Sequence, residues 1–174
     1  MIGDSQQLAA GDVRAGEAVV HSDEGSYTLG DRDGPPDMLP DANKAFAGLL
    51  AVGSSGAMIL PGTGWGPVRV RVEIHPAAPP VQQGWEEMAE VEQFTPSGLE
   101  AVVDGFLAVP EELPQLEVSA ESWYGIRVYA RGRAAGRPFS FGPDEPVEAH
   151  LLQLWPAASR SDDDGFGWRP PAGT

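Results

Sequence analysis

Cysteine is absent from the chain, which removes disulfides, thiolate metal sites and cysteine nucleophiles together. Lysine occurs once, at Lys44, so Schiff-base chemistry would rest on that residue alone. Positive charge is scarce altogether: 11 Lys and Arg stand against 26 Asp and Glu, for a formal net charge of -15. Such a chain repels a phosphate backbone and releases no counterions on meeting it, so direct binding of DNA or RNA is not expected. No apolar run approaches the roughly 20 residues that span a bilayer. The start, MIGDSQQLAAGD, has neither the basic region nor the apolar stretch of a signal peptide. We therefore expect no membrane insertion and a cytoplasmic location. Ten of the 11 basic residues are Arg, a bias that fits a GC-rich bacterial genome.

Catalytic motifs are missing as well. The chain has no G-x-S-x-G elbow, no P-loop and no H-E-x-x-H. The glycine run GTGWG, Gly62 to Gly66, lacks the strand-to-helix setting of a dinucleotide fingerprint and reads as a hairpin turn. His21, His75 and His150 are the three histidines, and none has a second ligand at the short spacing of a zinc hydrolase. No catalytic residue, cofactor or metal site is assigned.

Turns, by contrast, are plentiful: 22 Gly and 17 Pro are about twice the usual share. Between them lie short runs of period two. VRVRVEIH, Val68 to His75, alternates Val68, Val70, Val72 and Ile74 with Arg69, Arg71, Glu73 and His75, and YGIRVYARG places Ile126, Val128 and Ala130 opposite Arg127, Tyr129 and Arg131. WEEMAEVEQF, Trp85 to Phe94, turns Ala89 and Val91 inward and Glu90 and Glu92 outward, with Met88 and Phe94 on the glutamate side. EAVVHS and SYTL form an expected N-terminal hairpin around Asp23, Glu24 and Gly25. GLLAVG, AMILPG, LEAVVDGF and EAHLLQLWP supply further strands. With no sustained helical period, these predict an all-β, antiparallel two-sheet β-sandwich of jelly-roll type, with a closed β-barrel as the alternative. We expect one domain over residues 15–157, an N-terminal arm over 1–14 and an acidic, flexible tail over 158–174. Gly30 to Ala45, rich in Asp, Pro and Gly, reads as a long surface loop.

The glutamates of WEEMAEVEQF raise the functional question. Two carboxylates divide acid and base roles only where a pocket separates their pKa values, and nothing around Glu86, Glu87, Glu90 or Glu92 signals one. If strands 68–75 and 85–94 are neighbours, Arg69 and Arg71 face Glu90 and Glu92 across the sheet. The remaining acidity forms a face that a basic protein can read. The expected partner-binding residues are Glu86, Glu90, Glu92, the run Asp162, Asp163 and Asp164, and two aromatic anchors, Trp155 and Trp168. Trp65, Trp85, Trp123 and Trp155 fall next to turns, where they cap the ends of a sandwich.

The layout from Glu17 to Pro156 resembles a group of small bacterial proteins related to competence protein J, a nuclease inhibitor of DNA uptake. The resemblance rests on VVHSDEGSYTLGD, on GTGWGPVRVRVEI followed by GWEEMAEVE, and on YGIRVYARGR leading to EAHLLQLWPA. It implies a β-sandwich, inhibition of a partner nuclease, and no catalytic residues to carry over. The acidic loop at Gly30 to Ala45 and the tail at Asp162 to Asp164 depart from that pattern. Together the residues and the resemblance predict a non-enzymatic acidic binding protein, an inhibitor or immunity-type partner of a basic protein such as a nuclease. The alternatives are a small-ligand or metal-binding β-barrel using His21, His75 or His150, and a structural accessory domain.

Overall fold

The computed structural model describes residues 12–31, 44–53, 56–105, 109–137, 144–158 and 168–171. Residues 1–11 of the expected arm, 32–43 of the long loop, and Asp162, Asp163 and Asp164 lie outside them. The described strands are β1 (Arg14–Ser22), β2 (Tyr27–Asp31), β3 (Leu50–Gly53), β4 (Gly56–Ile59), β5 (Gly66–Ile74), β6 (Glu87–Thr95), β7 (Leu99–Asp104), β8 (Leu116–Val118), β9 (Ser122–Arg131), β10 (Ala149–Ala157) and β11 (Trp168–Arg169). A four-residue helix, α1 (Arg133–Gly136), follows β9.

The strands form two open sheets, ordered β1-β5-β10-β9-β6-β11 and β3-β4-β2-β7-β8. This is the expected sandwich, not the alternative barrel, because the outer strands of the two sheets do not pair with each other. The inward residues of β5 (Val68, Val70, Val72, Ile74), β9 (Ile126, Val128, Ala130) and β6 (Ala89, Val91) meet Tyr27, Leu29, Ile59, Val103 and Leu116 of the second sheet in one core. Burying that apolar surface is the main force holding the layers together.

The first sheet is mixed, not wholly antiparallel. β10 runs parallel to β5 and antiparallel to β9, and β9 runs antiparallel to β6. β5 and β6 therefore point the same way, separated by two strands, and the connection over residues 75–86 must cross the outer face of the sheet. The carbonyls of Pro79 and Pro80 accept hydrogen bonds from Arg127, and the Gln82 amide donates to the Tyr129 hydroxyl. Beneath this strap Tyr129, Leu151, Gln153 and Trp155 are buried although they face away from the main core.

The N-terminal hairpin is a second correction. β1 and β2 are joined by a tight turn, bridged only at Asp23 and Ser26, but β1 pairs with β5 and β2 with β4 and β7. Each strand buries its apolar side from opposite walls of the sandwich, so the turn joins the sheets instead of extending one. β3 and β4 do pair as a hairpin, in the register Leu50 to Ile59. The sequence pattern did not reveal β8, β11 or α1, whose two to four residues are too few to show a period.

Two positions on β9 make the packing testable. Gly125 lies in register with Trp155, and a Cβ there would sit 1.9 Å from the indole. Gly125→Ala is expected to destabilise the fold by about 3 kcal/mol, read as a lower urea midpoint, because the ring is clamped and cannot move aside. Tyr124 is fully buried on the inner face, and its hydroxyl has no partner among the described residues; burial pushes its pKa up. Tyr124→Phe is expected to stabilise by about 1 kcal/mol in the same measurement, since an unpaired buried hydroxyl keeps only its desolvation cost.

Candidate functional site

The glutamates of β6 alternate as the sequence predicts, and each finds an arginine, though not the expected one. Because β10 and β9 separate β5 from β6, Arg69 and Arg71 cannot face Glu90 and Glu92. Glu90 instead accepts from Arg127, its register partner on β9, and Glu92 from Arg169 on β11. Glu87 takes Arg133 at the rim of the sandwich. Arg71 turns to Glu73, 3.0 Å away, and toward Glu17. On the same face the guanidinium of Arg127 stacks on Trp155, Arg131 on Trp85 and Arg169 on Trp123, at 4.0–5.2 Å from the ring centres. Over most of its width the outer face of the first sheet is thus a layer in which Arg, Trp and Glu satisfy one another.

That layer decides which expected partner-binding residues remain available. Glu92 is 6% exposed and Trp155 2%, and the Glu90 side chain is 11% exposed, so none presents a free surface. Arg127 and Arg169 supply the counter-charges that offset the desolvation of Glu90 and Glu92. Glu86 is exposed and accepts the Gly132 amide proton. Trp168 is 46% exposed, its edge against Phe46. The tail expected to be flexible therefore contains a short strand docked on β6.

The histidines do not converge. His21 and His75 lie at opposite ends of the first sheet, beside Pro67 and after Ile74, and His75 bonds Glu73 at 2.9 Å. His150 points inward and closes a buried chain: the Tyr27 hydroxyl is 2.7 Å from Nδ1, and Nε2 is 2.7 Å from the Glu148 carboxylate. Glu148 also accepts from the Gly62 and Thr63 amides and the Thr63 hydroxyl. The ionised carboxylate accepts a hydrogen bond from the Nε2–H, which leaves Nδ1 to accept from Tyr27. Burial pushes the Glu148 carboxyl up, but the bonds from His150, Gly62 and Thr63 outweigh it and hold the pKa below the usual range. Burial and the Glu148 charge raise Tyr27 well above its ordinary value, keeping the donor protonated. GTGWG is accordingly not a hairpin turn: it carries the chain from β4 in one sheet to β5 in the other and offers its amides to Glu148. The chain is sealed between the sheets and ties β2 to β10; no substrate reaches it.

The second sheet differs in charge. Its five strands contain no Lys or Arg, and from residue 72 to residue 126 the chain has none while carrying eleven Asp and Glu. In β7 Ala101 and Val103 face the core, leaving Glu100, Val102 and Asp104 on the outer face. Glu117 of the edge strand β8 lies directly opposite Glu100, an arrangement that costs stability. Glu111 and Glu112 follow on the connection between these strands and Glu121 just after them, all exposed. Asp104, Glu111, Glu112, Glu117 and Glu121 form no ion pair among the described residues.

The sandwich, its sheet order and its two faces can be set beside solved structures. The fold is similar to that of ComJ. The crystal structure of ComJ from Bacillus subtilis, an inhibitor of the DNA degrading activity of NucA, superposes with a TM-score of 0.56, covering 84% of this chain and 99% of ComJ at 7% identity. The protein of crocagin biosynthetic gene J aligns over the same 84% at 15% identity with a TM-score of 0.42. No protein-family model matches the sequence, and no curated protein sequence matches it. At 7% identity the likeness to ComJ lies in the path of the chain, which agrees with the layout resemblance seen in the sequence. The acidic edge at β7 and β8 was missed by sequence reasoning. Its signal was present in LEAVVD, where the outward positions are acidic, and in the 55 residues without a cation.

Proposed function

We propose that this protein is a non-enzymatic inhibitor that covers the cationic substrate cleft of a nuclease with the acidic edge formed by β7, β8 and the connection between them. The observation that carries the reading is the row Asp104, Glu100 and Glu117, extended by Glu111 and Glu112, on a sheet without a single basic residue. Asp104, Glu111, Glu112 and Glu117, which form no ion pair among the described residues, imitate the phosphates that such a cleft is built to receive, and they raise the encounter rate with a basic surface. The fold shared with ComJ, an inhibitor of a DNA degrading activity, supports the same role. Trp168 and Glu86 lie on the other sheet and serve, in this reading, as secondary contacts at most. Among the described residues no helix is long and apolar enough to cross a membrane, and an inhibitor acting where its nuclease is made fits a cytoplasmic site.

The test is capture of basic proteins from a lysate of the source cells on the immobilised chain, eluted by a salt ramp. The eluate is assayed for DNA degradation with and without added protein. A nuclease that leaves at raised salt and is silenced by stoichiometric protein is the expected result. Nuclease activity that passes through unretained and uninhibited would overturn the reading.

A further inference from the structure

At one end of the first sheet the Arg, Trp and Glu layer breaks its own pattern. One row of the outer face runs Ala15, Glu73, Gln153, Arg127, Glu90 across five strands, and its members are joined: Gln153 donates to Glu73, Arg127 to Gln153 and Glu90. Four residues along the strands, the row reads Val19, Arg69, Ala149, Arg131. Here two arginines flank an alanine, and no carboxylate is in register with either. Both are exposed, neither forms an ion pair among the described residues, and Arg131 is held in place by Trp85, 4.9 Å below its guanidinium. In a chain with 26 acidic residues, these two cations stand on either side of a methyl group with no carboxylate bound to either among the described residues.

Ala149 makes the floor of a hollow of about 300 Å³ whose walls include Pro146, Val147 and Gly132. Two acidic residues also border it: Glu148 turns its fully buried carboxylate inward to Gly62, Thr63 and His150, and Glu86 accepts the Gly132 amide proton. Arg69 and Arg131 stand two strands apart, roughly 10 Å at the backbone, a span that lets both guanidinium forks close on one small anion. A single fork consumes both oxygens of a carboxylate; two forks from opposite sides call for an anion with more acceptor oxygens.

We propose that the hollow between Arg69 and Arg131 is a binding site for a tetrahedral oxyanion, a phosphate group either free or carried as a small monoester. The site is independent of the inhibitor reading: it lies on the opposite sheet from the acidic edge and needs no nuclease. One phosphate held by two arginines offers no track for a nucleic-acid backbone, and the net charge opposes one.

The experiment is a titration of the full chain with sodium phosphate, followed by amide and arginine side-chain NMR, beside sodium chloride and sodium acetate at matched ionic strength. Saturable shifts centred on Arg69, Arg131, Gly132 and Ala149, with phosphate and not with the other two salts, are expected. Arg69→Gln and Arg131→Gln should each weaken binding about tenfold. Both side chains are exposed, so the variants should keep the parent spectrum elsewhere. Tighter binding of a mononucleotide than of inorganic phosphate would assign the site to monoesters, and equal binding to free phosphate. Shifts that follow ionic strength alone, that acetate reproduces, or that persist in both variants would overturn the proposal.

Discussion

The paired reversal Asp104→Lys with Glu117→Lys is expected to cut the association rate with the captured nuclease about tenfold or more at low salt and to flatten its salt dependence. The same variant is expected to fold at least as well as the parent. Glu117 faces Glu100 across β7 and β8, so a lysine there turns a repulsive cross-strand pair into an attractive one, a gain of about 0.2–1 kcal/mol. Asp104 is exposed and its side chain forms no ion pair among the described residues, so its reversal removes no internal contact. Loss of binding in a protein of equal or higher thermal stability separates recognition from folding. A control with the same change of net charge, Asp144→Lys with Glu145→Lys, places two reversals on exposed residues away from that edge. If the control slows association as much as the edge variant, net charge and not the β7 and β8 surface governs encounter. Unchanged association in both would remove the acidic edge from the interface.

Glu148→Ala is expected to be the most damaging single change to the fold. It leaves the Gly62 and Thr63 amides, the Thr63 hydroxyl and the His150 ring without their acceptor between two packed sheets. Breaking a buried polar network by removing one member costs about 3–5 kcal/mol, against a total stability of about 5–15 kcal/mol for a domain of ordinary size. Urea unfolding measures this directly, and a midpoint near that of the parent would show that the network is replaceable. Acid sensitivity follows from the same group. The folded carboxyl titrates below its ordinary value, so its stabilisation is complete above the usual carboxylate range and is lost as pH falls through the depressed folded pKa. Glu73 is shifted in the same direction, burial opposing and Gln153, His75 and Arg71 prevailing, and adds to the same limb. Glu148→Gln imitates the protonated state. Its deficit should therefore be largest near neutrality and shrink as pH falls through the carboxylate range. A deficit constant with pH would show that the Glu148 charge is not the stabilising element.

Period-two alternation in 68–75 and 124–132 was enough to predict strands, their buried sides and a two-sheet sandwich, because side-chain direction along a strand is a local property of the backbone. The outward position of Glu90 and Glu92 was legible for the same reason. Composition made the acidity plain, and the 55-residue stretch without a cation already contained the edge at β7 and β8. Which arginine each glutamate meets was not legible. It depends on β10 and β9 standing between β5 and β6, a matter of strand order set by contacts between residues far apart in the chain. The same order sent residues 75–86 across the outer face, buried Trp155 and Gln153 beneath them, and left Glu90 and Glu92 largely covered and paired with arginines. It also brought Tyr27, Gly62, Thr63, Glu148 and His150 to one point from three separate stretches, where no spacing rule could foresee them. The sequence by itself determined the longer strands, their faces and the sign of the charge; only the tertiary structure decided where that charge is neutralised, because pairing depends on distance in space and not along the chain.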